Sequence, residues 1–167
     1  MISEIQPTIS KTAWIADTAT VRGWVTLGEH VSVWFSAVIR AEEEPVIVGD
    51  RTNVQDGAVL HVSKDFPCIV GKDVTIGHLA IVHGCTVEDG ALIGMHATVL
   101  DGARIGAGAV VGAGALVPPG MEVPPGTLAL GVPAKVVGAL KESQQGLGRS
   151  GAEHYVQRKE DFRRGKF

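Results

Sequence analysis

Three histidines stand out in this sequence because their spacing could bring them to one metal ion. His78 and His83 lie five positions apart in VTIGHLAIVHGCTVEDGALIG, and His61 precedes them in NVQDGAVLHV. Imidazoles bind borderline metals such as zinc, and three protein ligands with one open position for water describe a catalytic zinc site. The sequence therefore predicts a metal site displayed on the surrounding repeats. Surface histidines without a metal are the alternative.

The scaffold is predicted from an aliphatic residue that recurs every six positions, often followed by glycine. Neither a helix nor an ordinary strand has this period, whereas a parallel β-helix does. We expect an all-β fold in which each repeat forms one strand and one turn, and three repeats close a triangular coil of about 18 residues. A β-sandwich with accidental spacing is the weaker alternative. The series is interrupted after Ile39 and after Leu60, and because Val87 follows Ile76 by 11 positions, one of the two steps between them is five residues long. The series comprises Ile9, Ile15, Val21, Leu27, Val33, Ile39, Val48, Val54, Leu60, Val70, Ile76, Val87, Ile93, Val99, Ile105, Val111 and Val117.

The last part of the chain departs from this pattern. Prolines at 118, 119, 124 and 125 are expected to end the regular coil. We predict a β-helix domain over 1–138 and a helical segment over 139–167. A helix over 152–164 would pack along the side of the coil, and the glycines at 146, 148 and 151 would separate it from a second helical piece. A frayed tail is the alternative.

Composition and charge exclude several classes of protein. The net charge is −3 without a basic cluster, which argues against nucleic acid as a partner. No apolar run approaches the roughly 20 residues that span a bilayer, so we expect no membrane partner, and no signal peptide is evident. Cys68 and Cys85 are isolated and are expected to be buried free thiols in a reducing compartment. These features predict a soluble, cytoplasmic protein.

The spacing of the histidines bears on how they meet. On a triangular coil, five residues between His78 and His83 place the two side chains on neighbouring faces, so one chain is not expected to aim all three histidines at one ion. A symmetric trimer could do so, with two ligands from one subunit and one from the next. His96 follows His78 by 18 residues and is expected directly above it, as a solvated edge residue.

Three motifs carry a resemblance to a known family: NVQDGAVLHV, VTIGHLAIVHGC and LIGMHATVLDGA. From Ile9 to Val137 the chain resembles the gamma-class carbonic anhydrases and their bacterial hexapeptide-repeat relatives. The resemblance implies a left-handed β-helix and a homotrimer that binds zinc, or iron or cobalt, at each interface. His61 and His83 of one subunit and His78 of its neighbour would be the ligands. Hydroxide generated at the metal would convert CO2 reversibly to bicarbonate.

The same resemblance implies further site residues. Asn53 and Gln55 would line the cleft and position water or CO2, although an asparagine ladder or turn is the alternative for Asn53. Arg40 would pair with carboxylates near the interface and with the substrate anion, and Asp56 is its expected partner. The family's Arg-Gly-Asp is Arg40-Ala41-Glu42 here, which puts the pairing geometry in question. Tyr155 would reach the site from the C-terminal helix, unless it serves only in packing.

One difference from the family leaves the activity open. The loop after the first ligand is short, SKDFP, and Asp65 is its one acidic residue, so proton removal is expected to limit turnover. Two other functions stay open. The chain could act on acyl-CoA thioesters as a hydrolase or acyltransferase, or it could be a catalytically silent metal-binding scaffold. Hexapeptide acetyltransferases resemble the coils and GVPAKVV, but they typically use one histidine as a base without a metal.

Overall fold

The computed structural model describes residues 5–167 and contains the predicted parallel β-helix. Short strands stack in parallel and in register, and the turns between them form three edges of a prism. The first face is an 8-stranded sheet, and the other two faces are joined into one 11-stranded sheet by a long strand that passes from one to the other. The six-residue period is therefore confirmed as strand plus turn.

The strands are numbered in chain order. The first face consists of β2 (Trp14–Ile15), β4 (Ser32–Val33), β6 (Asn53–Val54), β9 (Thr75–Ile76), β12 (Leu92–Ile93), β15 (Val110–Val111), β18 (Thr127–Gly131) and β19 (Ala134–Ala139). The other two faces contain β1 (Thr8–Ile9), β3 (Thr20–Leu27), β5 (Val38–Val48), β7 (Val59–His61), β8 (Cys68–Val70), β10 (Ile81–His83), β11 (Thr86–Val87), β13 (Thr98–Val99), β14 (Arg104–Ile105), β16 (Leu116–Val117) and β17 (Glu122–Val123).

The core is a set of aliphatic columns inside the prism. On one face Leu60, Val82 and Val99 stack in register, and each is 0% exposed. Burying one such side chain stabilises the fold by about 1.5–3 kcal/mol, so the columns fix which residues point inward. Ile9, in the first coil, is an exception to the predicted series because it is 42% exposed.

One edge of the prism is less regular than the other two. Between β10 and β11 the step from Val82 to Val87 has five residues, which locates the short step that the sequence left unassigned. At the same edge, residues 62–67 form a loop between β7 and β8. We call this the irregular edge and define it by the residues that occupy it in successive coils: Arg22, Arg40, His61, His83 and Asp101.

The prediction that prolines end the regular coil is wrong. Val123 pairs with Ile105, and Ala129 pairs with Val111, so the stack continues beyond all four prolines. The prolines lie in the turns that flank β17, where no ladder hydrogen bond from their nitrogen is needed. The stack ends in an antiparallel hairpin of β18 and β19.

The C-terminal helix packs along the first face, as predicted, but it begins earlier than the sequence suggests. A short 3-10 helix spans Glu142–Gln144, and α1 spans Leu147–Arg163. Gly148 and Gly151 therefore lie inside α1. A Cβ on Gly148 would lie 2.2 Å from the Gly90 carbonyl oxygen, and one on Gly151 would lie 2.5 Å from Thr75 Oγ1. These glycines allow close approach to the sheet, which outweighs their low helix propensity.

Two expectations from composition can be compared with the structure. Cys68 and Cys85 are buried free thiols, as predicted. Among residues 5–167, no helix is both long and apolar enough to cross a membrane.

Gly148→Val should weaken the docking of α1, because the new side chain meets backbone atoms of Gly90 and Ala91 that cannot move without disturbing the coil. We expect a loss of about 2 kcal/mol in the free energy of unfolding, measured by urea denaturation. Ser150→Val places the same side chain on the exposed side of α1 and should change stability by only a few tenths of a kcal/mol. Equal losses in both variants would show that close approach at Gly148 is unimportant.

Candidate metal centre

His61 and His83 lie side by side on the irregular edge. They are register partners at the ends of β7 and β10, and His61 Nδ1 lies 2.9 Å from His83 Nε2. Their side chains are partly buried, at 20% and 26% exposure. The structure thus brings two of the three predicted ligands together through strand pairing alone.

A carboxylate flanks each of these imidazoles on its outer side. Asp101 Oδ1 accepts a hydrogen bond of 2.6 Å from His83 Nδ1. The two carboxylate oxygens of Glu42 lie 3.1 and 3.2 Å from His61 Nε2. Because an ionised carboxylate only accepts hydrogen bonds, both outer nitrogens carry the proton. The inner nitrogens, His61 Nδ1 and His83 Nε2, then face each other with lone pairs.

This arrangement fits a metal ion. Two facing lone pairs require a positive centre between them, either a proton or a cation. Burial, and next the charge of Arg40, lower the pKa of His61 below its ordinary value of 6.5, which disfavours a proton there at neutral pH. Two nitrogens bound to one tetrahedral zinc are about 3.3 Å apart, close to the 2.9 Å seen here. Carboxylates behind the ligating histidines are the usual outer partners of such sites.

His78 is not part of this pair. It lies in the turn between β9 and β10, at the next edge of the prism, and its Nδ1 is 2.9 Å from Asp56 Oδ2. Its Nε2 is therefore the nitrogen left for a ligand. Within the described part of one chain, no group of three histidine, cysteine or acidic side chains is arranged to hold a metal. A single chain brings together two of the predicted ligands and holds the third apart.

His96 does not lie directly above His78, so that prediction is wrong. Ile93 pairs with Ile76, which makes this coil 17 residues long, and Met95 occupies the position above His78. His96 matches Leu79 instead, since both take a left-handed backbone conformation with φ of 58° and 59°. The His96 amide donates to the His78 carbonyl oxygen, a backbone contact only.

The expected pair of Arg40 and Asp56 is not formed within the described chain. Arg40 forms an ion pair with Glu42, two residues away, and Asp56 forms one with His78. The cause is geometric: Arg40 and Glu42 lie on the irregular edge, whereas Asp56 lies in a turn on the neighbouring edge.

Asn53 does not line the cleft in this chain, contrary to the prediction, because it is 0% exposed. Its amide nitrogen donates to the Val74 carbonyl and to Thr75 Oγ1, and its oxygen accepts a 3.0 Å hydrogen bond from Gln55 Nε2. Asn53 thus belongs to an internal hydrogen-bond network, which is neither the asparagine ladder nor the turn given as the alternative. Gln55 reaches further out and lines an apolar cavity of 350 Å³ with Met95.

Tyr155 both packs and lines a cavity. Its ring meets Trp34 edge-on at 5.0 Å. It also borders a cavity of 320 Å³ that reaches Asp56, the partner of His78. Burial, and next the Asp56 carboxylate, raise the pKa of the Tyr155 hydroxyl.

Asp101 is a site residue that the sequence analysis did not single out. The available signal was its distance of 18 residues from His83, although Val82 pairs with Val99, so Asp101 lies one position past the register partner of His83 on the same edge. Glu42 was considered only as a partner of Arg40, because its contact with His61 depends on how β5 turns the corner.

Comparisons with known proteins identify the family of this chain. The family model "Bacterial transferase hexapeptide (six repeats)" matches residues 84–119. A carbonic anhydrase of Geobacillus kaustophilus is 54% identical over 136 residues, covering 81% of this chain and 75% of the relative. The mitochondrial gamma carbonic anhydrase 1 of Arabidopsis thaliana is 46% identical over 102 residues, covering 58% of this chain and 37% of the relative.

A solved structure is similar over almost the full length. The product of the Bacillus cereus gene BC4754 superposes with a TM-score of 0.90 at 46% identity, covering 93% of this chain and 90% of that one. The fold is thus that of the hexapeptide-repeat proteins with a left-handed β-helix. Within that class, the chain belongs to the gamma-type carbonic anhydrase family, whose members are lyases.

The pKa of His61 is open to a direct test in metal-free protein. Its NMR titration midpoint should lie below 6.5. Arg40→Gln removes a neighbouring positive charge and should move that midpoint upward, while burial, the larger cause, keeps it below 6.5. Arg104→Gln, which removes a charge paired with Glu88, should leave it unchanged. An unchanged midpoint in Arg40→Gln would show that the charge of Arg40 does not lower the pKa of His61.

Asp101→Ala should weaken zinc binding by about 10–100-fold, because His83 loses the partner that fixes its proton on Nδ1. Competition with a chromophoric chelator at constant pH measures this affinity. Asp17→Ala removes an exposed carboxylate elsewhere and serves as the matched control. Equal zinc affinity in the Asp101→Ala and wild-type proteins would exclude a role for Asp101 in the centre.

Proposed function

We propose that this protein is a zinc-dependent carbonic anhydrase that hydrates CO2 reversibly at the subunit interfaces of a homotrimer. The observation that carries the proposal is the split arrangement of the histidines. His61 and His83 present facing lone pairs on one edge, and His78 presents its Nε2 on another edge. A rotation about a threefold axis can bring the His78 edge of one subunit to the irregular edge of the next.

The three histidines would hold the ion, and three carboxylates would hold the histidines. Asp101, Glu42 and Asp56 each contact the nitrogen of one imidazole that is not left for the metal. Zinc, when bound, supplies the Lewis acidity that makes water a nucleophile at neutral pH. Iron(II) and cobalt(II) are alternatives, since imidazole accepts all three.

Other side chains would bind and orient the reactants. The Gln55 amide, fixed by Asn53, would hydrogen-bond CO2 or the attacking water without neutralising it. Arg40, close enough to His61 to affect its pKa, would attract bicarbonate. Tyr155 and Asp56 would form the wall of the site on the neighbouring subunit. We also propose a cytoplasmic location, supported by two cysteines that are buried and unpaired.

A second candidate function is hydrolysis or transfer of an acyl group from a CoA thioester. The 350 Å³ cavity beside Gln55 favours it, because its lining is mainly apolar. An acyl chain would suit such a groove. Turnover of acyl-CoA, measured on the same protein preparation, tests this function.

Complementation between two inactive variants tests the proposal. His61→Ala and His78→Ala should each abolish zinc-dependent CO2 hydration, measured by stopped flow. When the two variants are co-expressed with different tags, about one third of the interfaces in purified mixed trimers should combine intact His61 and His83 from one subunit with His78 from the other. Mixed trimers should therefore recover about one third of the wild-type rate.

The control is a mixture of His61→Ala with His83→Ala, which damages the same side of every interface and should stay inactive. Recovery in that mixture, or none in the first mixture, would contradict a site shared between subunits. Zinc binding without CO2 hydration in the wild-type protein would leave acyl-CoA hydrolysis as the next assay. Turnover of neither substrate would indicate a metal-binding scaffold.

A further inference from the structure

Two arginines lie next to each other below the histidine pair. Arg22 on β3 and Arg40 on β5 are register partners in adjacent parallel strands. Neighbouring strands are about 4.8 Å apart, and like charges directly opposite one another are unfavourable. Arg40 follows Ile39 as His61 follows Leu60, and Ile39 pairs with Leu60. The arginine pair therefore continues the same edge that carries His61 and His83.

The two guanidinium groups differ in how their charge is balanced. Arg40 forms an ion pair with Glu42, whose carboxylate also contacts His61. In residues 5–167, no ion pair within the chain involves Arg22. Glu42 thus contacts both Arg40 and His61, whereas no carboxylate among the described residues forms an ion pair with Arg22.

A cleft of 230 Å³ is built around these groups, lined by Arg22, Gly23, Arg40, Ala41 and Glu42. Its floor depends on an irregularity in the pairing of β3 and β5, where the register shifts between Gly23 and Val25. Gly23 has φ of 84°, and a Cβ on it would lie 1.9 Å from the Ala41 carbonyl oxygen. Only glycine fits this close approach, and such bulges re-aim neighbouring side chains.

We propose that Arg22 binds a small planar oxyanion in this cleft, beside the metal centre. A guanidinium presents a planar fork of donors that matches a carboxylate or bicarbonate in two parallel hydrogen bonds. Glu43 and Glu44 carry negative charge nearby but do not line the cleft. The identification of the anion as bicarbonate rests on the proposed function, whereas the anion site itself rests on Arg22 and the cleft.

Bicarbonate binding to metal-free protein tests this directly, because no turnover is involved. The Nε–Hε resonances of arginine are followed in proton–nitrogen NMR spectra as bicarbonate is added at constant pH and ionic strength. Arg22→Gln should raise the dissociation constant by about tenfold, the value of one charge-assisted contact. Arg164→Gln removes an exposed arginine at the end of α1 and should leave the constant within about twofold.

Two results would overturn the inference. One is equal bicarbonate affinity in the wild-type and Arg22→Gln proteins, or no binding in the wild-type protein. The other is dissociation of the oligomer on Arg22→Gln, seen by light scattering, which would assign Arg22 to an ion pair between subunits. Absence of CO2 hydration in the metal-loaded protein would contradict the proposed function alone, because the bicarbonate titration measures the anion site in metal-free protein without turnover.

Discussion

In-register stacking of the coils is the constraint on which the rest of this structure depends. Each coil bonds to the next along all three faces, so a residue at an edge lies about 4.8 Å from its counterpart in the next coil. The aliphatic columns enforce this register, because a shift by one residue would turn an inward side chain outward. His61 and His83 meet because Leu60 and Val82 are stacked beneath them. The pairing of His61 with His83 is thus a consequence of core packing and needs no special loop.

The irregular edge shows how the constraint leaves room for chemistry. Its loop at 62–67 and its five-residue step lie in the turns, while the strands on either side keep their partners. The edge then carries a row of charges in which Arg40, Glu42, the two imidazoles and Asp101 follow one another. The carboxylates at both ends hold protons on the outer nitrogens. The lone pairs left facing inward are unfavourable until a cation lies between them, so bound metal would stabilise the fold through its own affinity.

The sequence predicted the parts of this structure that follow from a regular period. The columns and the parallel β-helix are of this kind, whereas the pairing of His61 with His83 was implied only by the resemblance to a known family. A count of 18 residues per coil failed for His96, because the five-residue step from Val82 to Val87 shortens the coil that starts at His78 to 17 residues. The six-residue period alone does not locate that step before or after His78. The count of 18 from His83 reaches Asp101, but Val99 pairs with Val82, so Asp101 lies one position past the register partner of His83. Gly148 was misjudged for another reason: helix propensity is local, whereas its role depends on backbone atoms of Gly90 and Ala91.

The helix is also connected to the candidate site through hydrogen bonds that no pattern in the sequence reveals. Thr75 Oγ1 donates to the Gly148 carbonyl at 2.8 Å and accepts from the Asn53 amide at 3.0 Å. Asn53 in turn accepts from Gln55. Thr75, Asn53 and Gln55 are all buried, so each hydrogen bond of this network is costly to leave unmade. The position of the Gln55 amide therefore depends on how closely α1 docks, so the glycines of the helix would influence how Gln55 orients the reactants in the proposed function.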